Sequence, residues 1–208
     1  MKKLAFLFLA CLALVSCGDD DSGSGSGPKP TLLTLTDGGA TETRTFTYDS
    51  KNRISTMAKP GVTYTFTYDE NGKLHRMANA NGHYEFHYAA NNLVSVSNSE
   101  GQDWDVNQNG DNYELDGFTY SLNDAGDFTA LSDVAITYGS GRGIFANVRA
   151  MNPLAMFLAD QISFLYMSKV RPQEILNPDS HPYMVGSEEN GMPTLVNALD
   201  IEIAVQYD

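Results

Sequence analysis

The chain has 208 residues, 42% of them apolar and 11% aromatic, with 26 acidic side chains against 13 basic ones and a formal charge of −13. Such a surface repels phosphate backbones and anionic headgroups, and no Lys/Arg cluster offsets it locally, which excludes nucleic acid as a partner. Two cysteines, Cys11 and Cys17, are too few for a disulfide framework or a cysteine-zinc site, so stability must come from a core.

The chain opens with Lys2 and Lys3, an apolar run from Leu4 to Val15, and small Ser16 before Cys17. These are the parts of a secretory signal, and about a dozen apolar residues fall short of the roughly 20 that a membrane-spanning helix needs. Leu14-Val15-Ser16-Cys17 resembles a bacterial lipobox, which implies removal of residues 1–16 and acylation of Cys17. Asp19-Asp20-Asp21 resembles the acidic export tag of Bacteroidetes-type lipoproteins. The expected address is the outer membrane, by a lipid anchor, facing the cell exterior. Without Lys2 and Lys3 the formal charge becomes −15. Ser22 to Gly27 alternates Ser and Gly as a flexible coil does, and Pro28-Lys29-Pro30 stiffens its end, so residues 17–30 read as a tether. Residues 31–208 then form one domain, long enough to hide about 70% of the surface its unfolded chain exposes.

That domain is organised by a repeat. Phe46-Thr47-Tyr48-Asp49, Phe66-Thr67-Tyr68-Asp69 and Phe86-His87-Tyr88-Ala89 stand 20 residues apart, each followed by a turn and a shorter strand. The turns read Ser50-Lys51-Asn52-Arg53-Ile54, Glu70-Asn71-Gly72-Lys73-Leu74 and Ala90-Asn91-Asn92-Leu93-Val94, with Asn and Gly where a hairpin needs positive φ. Tyr64, Phe66 and Tyr68 point one way and Thr63, Thr65 and Thr67 the other; Tyr84, Phe86 and Tyr88 oppose His83, Glu85 and His87. One face is core and the other is wet. Weaker copies follow at Phe118-Thr119-Tyr120 and Ile136-Thr137-Tyr138, with a turn at Asn123 to Asp127, and a last strand runs from Asp200 to Tyr207. The pattern predicts a mainly β fold, an antiparallel meander of about a dozen strands curled strongly or partly closed like a barrel.

The Tyr-Asp-x-x-Gly/Asn-Arg/Lys-Ile/Leu units resemble the YD repeats of Rhs-type proteins, best over residues 46–98. With the acidic-tagged lipobox, the whole resembles a family of Bacteroidetes lipoproteins of unknown function that have a porin-like β fold. The resemblance implies β architecture and a scaffold or binding role. The third unit departs from it, with Ala89 in place of Asp, and the fourth is displaced by the segment from Trp104 to Asp116.

One stretch breaks the β pattern. Asn152-Pro153 is a helix start, and Pro172 is a stop. The apolar run between them predicts a helix over residues 152–171 that covers the aromatic face or plugs the mouth of the curled sheet.

Candidate sites are few. Asp105, Asn107, Asn109 and Asp111, with Asp116 at the twelfth position, have the spacing of a calcium loop, although Asn112 replaces an apolar anchor and Asp116 replaces Glu. A polar hairpin explains the same residues. His83, Glu85 and His87 share a strand face, but the outer pair lies about 13 Å apart, too far for one ion without a bend. Trp104 beside Gln102 has the composition of a sugar platform, and equally of an edge-strand aromatic. No nucleophile elbow, phosphate loop or HExxH pair is present, so no catalytic residue is assigned. The sequence points to a surface lipoprotein acting as a non-catalytic binding or scaffold module for a glycan or an envelope protein. A two-carboxylate hydrolase is the alternative. A membrane-inserted barrel conflicts with polar residues where a lipid-facing band should stand.

Overall fold

The computed structural model describes residues 27–208; Cys17, the signal segment and most of the expected tether lie outside the described residues. The first half of the domain is a run of hairpins: β1 (Pro30–Asp37), β2 (Ala40–Tyr48), β3 (Ile54–Lys59), β4 (Val62–Tyr68), β5 (Leu74–Asn79), β6 (Gly82–Ala89) and β7 (Asn92–Asn98). Shorter strands follow as β8 (Asp103–Asn109), β9 (Asn112–Leu115), β10 (Phe118–Leu122), β11 (Phe128–Leu131) and β12 (Val134–Arg142). After an insertion come β13 (Val170–Asn177), β14 (Asp179–Pro182), β15 (Met184–Glu189), β16 (Met192–Ala198) and β17 (Ile201–Tyr207). The described residues thus hold 17 strands rather than a dozen. The surplus lies in pieces such as β9, β11 and β14, whose four residues are too short to show an alternating pattern.

Strands adjacent in sequence pair antiparallel, and β1 also pairs with β17, so the meander curls round until its two ends meet. The ladder breaks once, between β14 and β15. These are one run of chain parted at Tyr183: before it the segment bonds to β13, after it to β16, and the Tyr183 amide still donates to the Gln173 carbonyl at 2.9 Å. The sheet is a nearly closed barrel with one seam, and an ion pair between Arg171 and Glu188 spans that seam.

The 20-residue repeat is one hairpin of the wall. Phe46 pairs with Met57, Phe66 with Met77 and Phe86 with Val96, all buried on the inside. Thr63, Thr65 and Thr67 are exposed outside, as the alternation predicts. Val94 and Met184 are the large apolar side chains that stand exposed among the described residues, so the wall carries no apolar outer band. A membrane-spanning barrel has the reverse arrangement. No helix among the described residues is long and apolar enough to cross a membrane.

The insertion between β12 and β13 fills the barrel. Ile144, Phe145, Leu154, Met156, Leu165 and Tyr166 are fully buried, and Phe145 meets Phe46 of the wall edge-on at 5.1 Å between ring centroids. Helix α1 (Pro153–Ala159) starts as predicted, with the Asn152 side chain accepting from the Ala155 amide and Pro153 at the first position. It is much shorter than the apolar run suggests. Asp160 ends it in an extended conformation because the wall competes for its carboxylate: Arg44 Nε lies at 2.6 Å, the Tyr166 hydroxyl donates at 2.7 Å and Lys59 Nζ stands at 3.7 Å. A short 3-10 turn, Ser163–Leu165, follows. Pro172 falls inside β13, at an irregular pairing with Tyr138, where a missing N–H is tolerated. Buried Asp127 holds the insertion's exit, accepting from the Lys169 and Val170 amides at 2.8 and 2.9 Å.

Strict alternation of strand direction gives the barrel two unlike ends. The turns after β2, β4, β6, β8, β10 and β15, the insertion, the start of β1 and the end of β17 all lie at one end, here the plug end.

Candidate functional site

At the plug end the recurring parts of the hairpin units do structural work that follows from their chemistry. Asp49 Oδ1 accepts from the Lys51 and Arg53 amides, closing a turn in which Asn52 has φ of 62°. Asp69 does the same for Lys73, with Gly72 at φ of 85°. Asn123 takes the Asp role in its own turn, accepting from Ala125 and Asp127. Arg53 pairs with Asp49 and lies 4.1 Å over the Tyr68 ring, which joins one unit to the next.

The tyrosines complete the pattern. Tyr48 donates its hydroxyl to the Pro30 carbonyl at 2.6 Å, Tyr68 to Ile54 at 2.8 Å, Tyr138 to Phe128 at 2.6 Å and Tyr207 to Pro193 at 2.8 Å. Each bond ties an upgoing strand to the start of a neighbouring downgoing one. Burial raises the pKa of all four hydroxyls, so they remain protonated donors.

Tyr88 departs from this pattern. By the repeat its partner would be the Leu74 carbonyl, but its oxygen instead accepts from Asn152 Nδ2 at 3.1 Å, at the head of the plug helix. Its unit is also the one that lacks Asp, with Ala89 leading into a tight turn at Ala90, whose φ is 51°. Beside it a groove of about 370 Å³ opens between wall and plug. Tyr88, Tyr113 and Tyr120 supply its aromatic surface, and Asn71, Asn92 and Asn152 supply amides. The Tyr113 and Tyr120 rings stack at 4.8 Å and 7°. Among the described residues no carboxylate lines the groove. Burial pushes the Tyr88 hydroxyl up to about 12, the Asn152 bond pulling the other way, so it too is protonated near neutrality. Flat rings with amides at their edges suit a ligand that has CH faces and hydroxyls.

The residues singled out in the sequence lie elsewhere. Trp104 faces inward, half-buried, 6.4 Å from the Tyr84 ring, near the end of the barrel opposite the plug. Gln102 sits in the adjoining turn and accepts from Asn98 Nδ2 at 2.7 Å. Asp105, Asn107 and Asn109 run along the outer face of β8, Asp111 lies in the turn beyond, and Asp116 is at the far end of β9. A straight strand spaces alternate residues by about 6.6 Å, so these oxygens form a row rather than a ring. His83 Nε2 stands 3.6 Å from Glu85, while His87 bonds Ser97 Oγ at 2.9 Å. No group of three or more His, Cys, Asp or Glu placed for a metal occurs among the described residues. Of the groove tyrosines, Tyr88 and Tyr120 were visible in sequence as repeat members, and Tyr113 was not singled out. The signal that marks them is the Ala89 departure, whose meaning depends on where the plug returns.

No protein-family model and no curated protein matches the chain. Among solved structures it is similar to a porin-like protein from Bacteroides vulgatus ATCC 8482, with a TM-score of 0.50 and 11% identity, over 88% of this chain and 99% of that one. The fold is porin-like. At that identity the likeness bears on architecture alone.

Proposed function

We propose that this protein is a non-catalytic, lipid-anchored envelope module that binds a glycan in the groove at its plug end. The observation that carries the reading is the lining of that groove, three tyrosine rings edged by asparagine amides. A hydrolase needs two carboxylates at the scissile bond, and the groove lining supplies none. The polar outer wall supports a barrel that works in water, with the Cys17 acyl chains as the attachment.

The test is a glycan array followed by thermal shift on the mature chain, because a ligand of the native state raises the melting temperature. A sugar hit should be lost in Tyr113→Ala, which removes a half-buried ring of the groove and whose fold is checked by circular dichroism. Absence of any sugar-dependent shift would overturn the reading, and pull-down from the envelope would then seek a protein partner.

A further inference from the structure

The hydrogen bonds around Tyr88 can be followed atom by atom. Asn152 caps helix α1, so its Oδ1 is fixed by the Ala155 amide at 3.0 Å, and that fixes Nδ2 toward Tyr88. The Tyr88 oxygen therefore accepts, and its own O–H has no acceptor among the described residues. Tyr48, Tyr68, Tyr138 and Tyr207 all spend the same proton on a neighbouring carbonyl. Leu74, whose carbonyl the repeat would give to Tyr88, lines the groove together with Tyr88 and Asn152. The hydroxyl of a half-buried tyrosine, with an unused proton and held at the wall of a cavity, is a donor prepared for a ligand.

We propose that the Tyr88 hydroxyl is the donor that fixes an uncharged sugar ring in the groove, an assignment that rests on the glycan reading above. The ligand oxygen that accepts from Tyr88 is a hydroxyl or ring oxygen. A carboxylate is disfavoured there, because the groove lining carries a single cation among the described residues and its ammonium is already bonded to a backbone carbonyl. That cation, Lys73, bonds the Ala90 carbonyl and lies 5.2 Å over the Tyr88 ring. Tyr113, half-buried and backed by the buried Tyr120 ring, then offers its ring to the CH side of the sugar.

The experiment is titration calorimetry of the full mature chain with neutral hexose oligosaccharides and the corresponding uronic-acid oligosaccharides. Tyr88→Phe keeps the ring and removes one hydrogen bond, so neutral-sugar affinity should fall about tenfold while the melting temperature stays close to the parent. Tyr68→Phe makes the same chemical change where the proton is used internally; it should lower the melting temperature and leave affinity within twofold. Equal affinity in Tyr88→Phe, with binding still abolished by Tyr113→Ala, would overturn the role of Tyr88 and leave the glycan reading standing. Uronic-acid oligosaccharides bound as tightly as neutral ones would overturn the uncharged ligand. No binding of either class would overturn the glycan reading and this assignment with it.

Discussion

Three carboxylates show how local chemistry sets the response to acid. Burial alone would raise the Asp49 carboxyl, but the Arg53 amide and guanidinium and the Lys51 amide outweigh it, and its pKa lies below the ordinary value. Asp208 is likewise lowered: bonds from Lys29 overcome its desolvation. A carboxyl lowered in the folded state contributes stability that is present above its unfolded pKa, near 3.9, and lost as pH falls through the folded value. Asp127 has the opposite sign, since burial outweighs the Lys169 and Val170 amides and raises it. Its contribution is complete below the unfolded pKa and is lost as pH rises through the folded one. Melting temperature measured against pH should therefore fall steeply below about pH 4, where Asp49 and Asp208 dominate. Asp49→Asn should reduce that steepness. Asp127→Asn should remove a loss seen on the higher-pH side, while costing stability at every pH because an amide NH2 then faces the Lys169 and Val170 amides.

The plug and wall are joined by one buried ionic knot, and at the scale of elements this knot decides whether the insertion belongs to the fold or merely rests in it. Arg44 and Asp160 are both nearly inaccessible, the Arg44 guanidinium also reaching Glu42 at 3.0 Å and the Thr43 carbonyl at 3.1 Å. Desolvation works against the Arg44 charge, but the bonds from Asp160 prevail and its pKa is raised. Removing one partner strands the other, which costs about 3–5 kcal/mol, whereas removing both costs less than the sum. Arg44→Met and Asp160→Asn should each lower the urea midpoint strongly, and the double variant should be less destabilised than additivity requires. An additive result would mean that the knot is open to water. This junction also shows why the helix was only half legible. Asn152-Pro153 announces its start locally, but its end depends on Arg44, 116 residues away in sequence. Inward and outward faces were legible because period-two alternation is local, and the Tyr-Asp turns because Asp, Asn and Gly act within five residues. The groove was not legible: Tyr113 and Tyr120 face each other across the local β9–β10 hairpin, but Tyr88 and Asn152 join them only when the barrel closes on its plug.

Taken as a whole molecule, the barrel inverts the arrangement a lipid-spanning one requires. Phe46, Phe66 and Phe86 fill the inside, and Thr63, Thr65 and Thr67 meet solvent on the outside. Placing that wall in hydrocarbon would strand hydroxyls and charges without partners, at a cost of about 2–7 kcal/mol for each unpaired polar group. The formal charge of −13 gives no electrostatic attraction to anionic headgroups either. The membrane attachment proposed above would then come from outside the barrel, with Cys17 as the residue to carry it. Acyl chains contribute about 0.8 kcal/mol per buried methylene, so two or three of them on Cys17 would hold a protein that the barrel itself would leave in water. In flotation of cell envelopes on a density gradient, the parent chain should rise with the lipid and Cys17→Ser should stay in the soluble fraction with an unchanged β-sheet signal by circular dichroism. A Cys17→Ser chain that still floats would mean that the wall itself enters lipid. In that case Thr65→Asp, on the exposed face of β4, should prevent flotation; in a water-exposed wall the same change alters neither flotation nor fold.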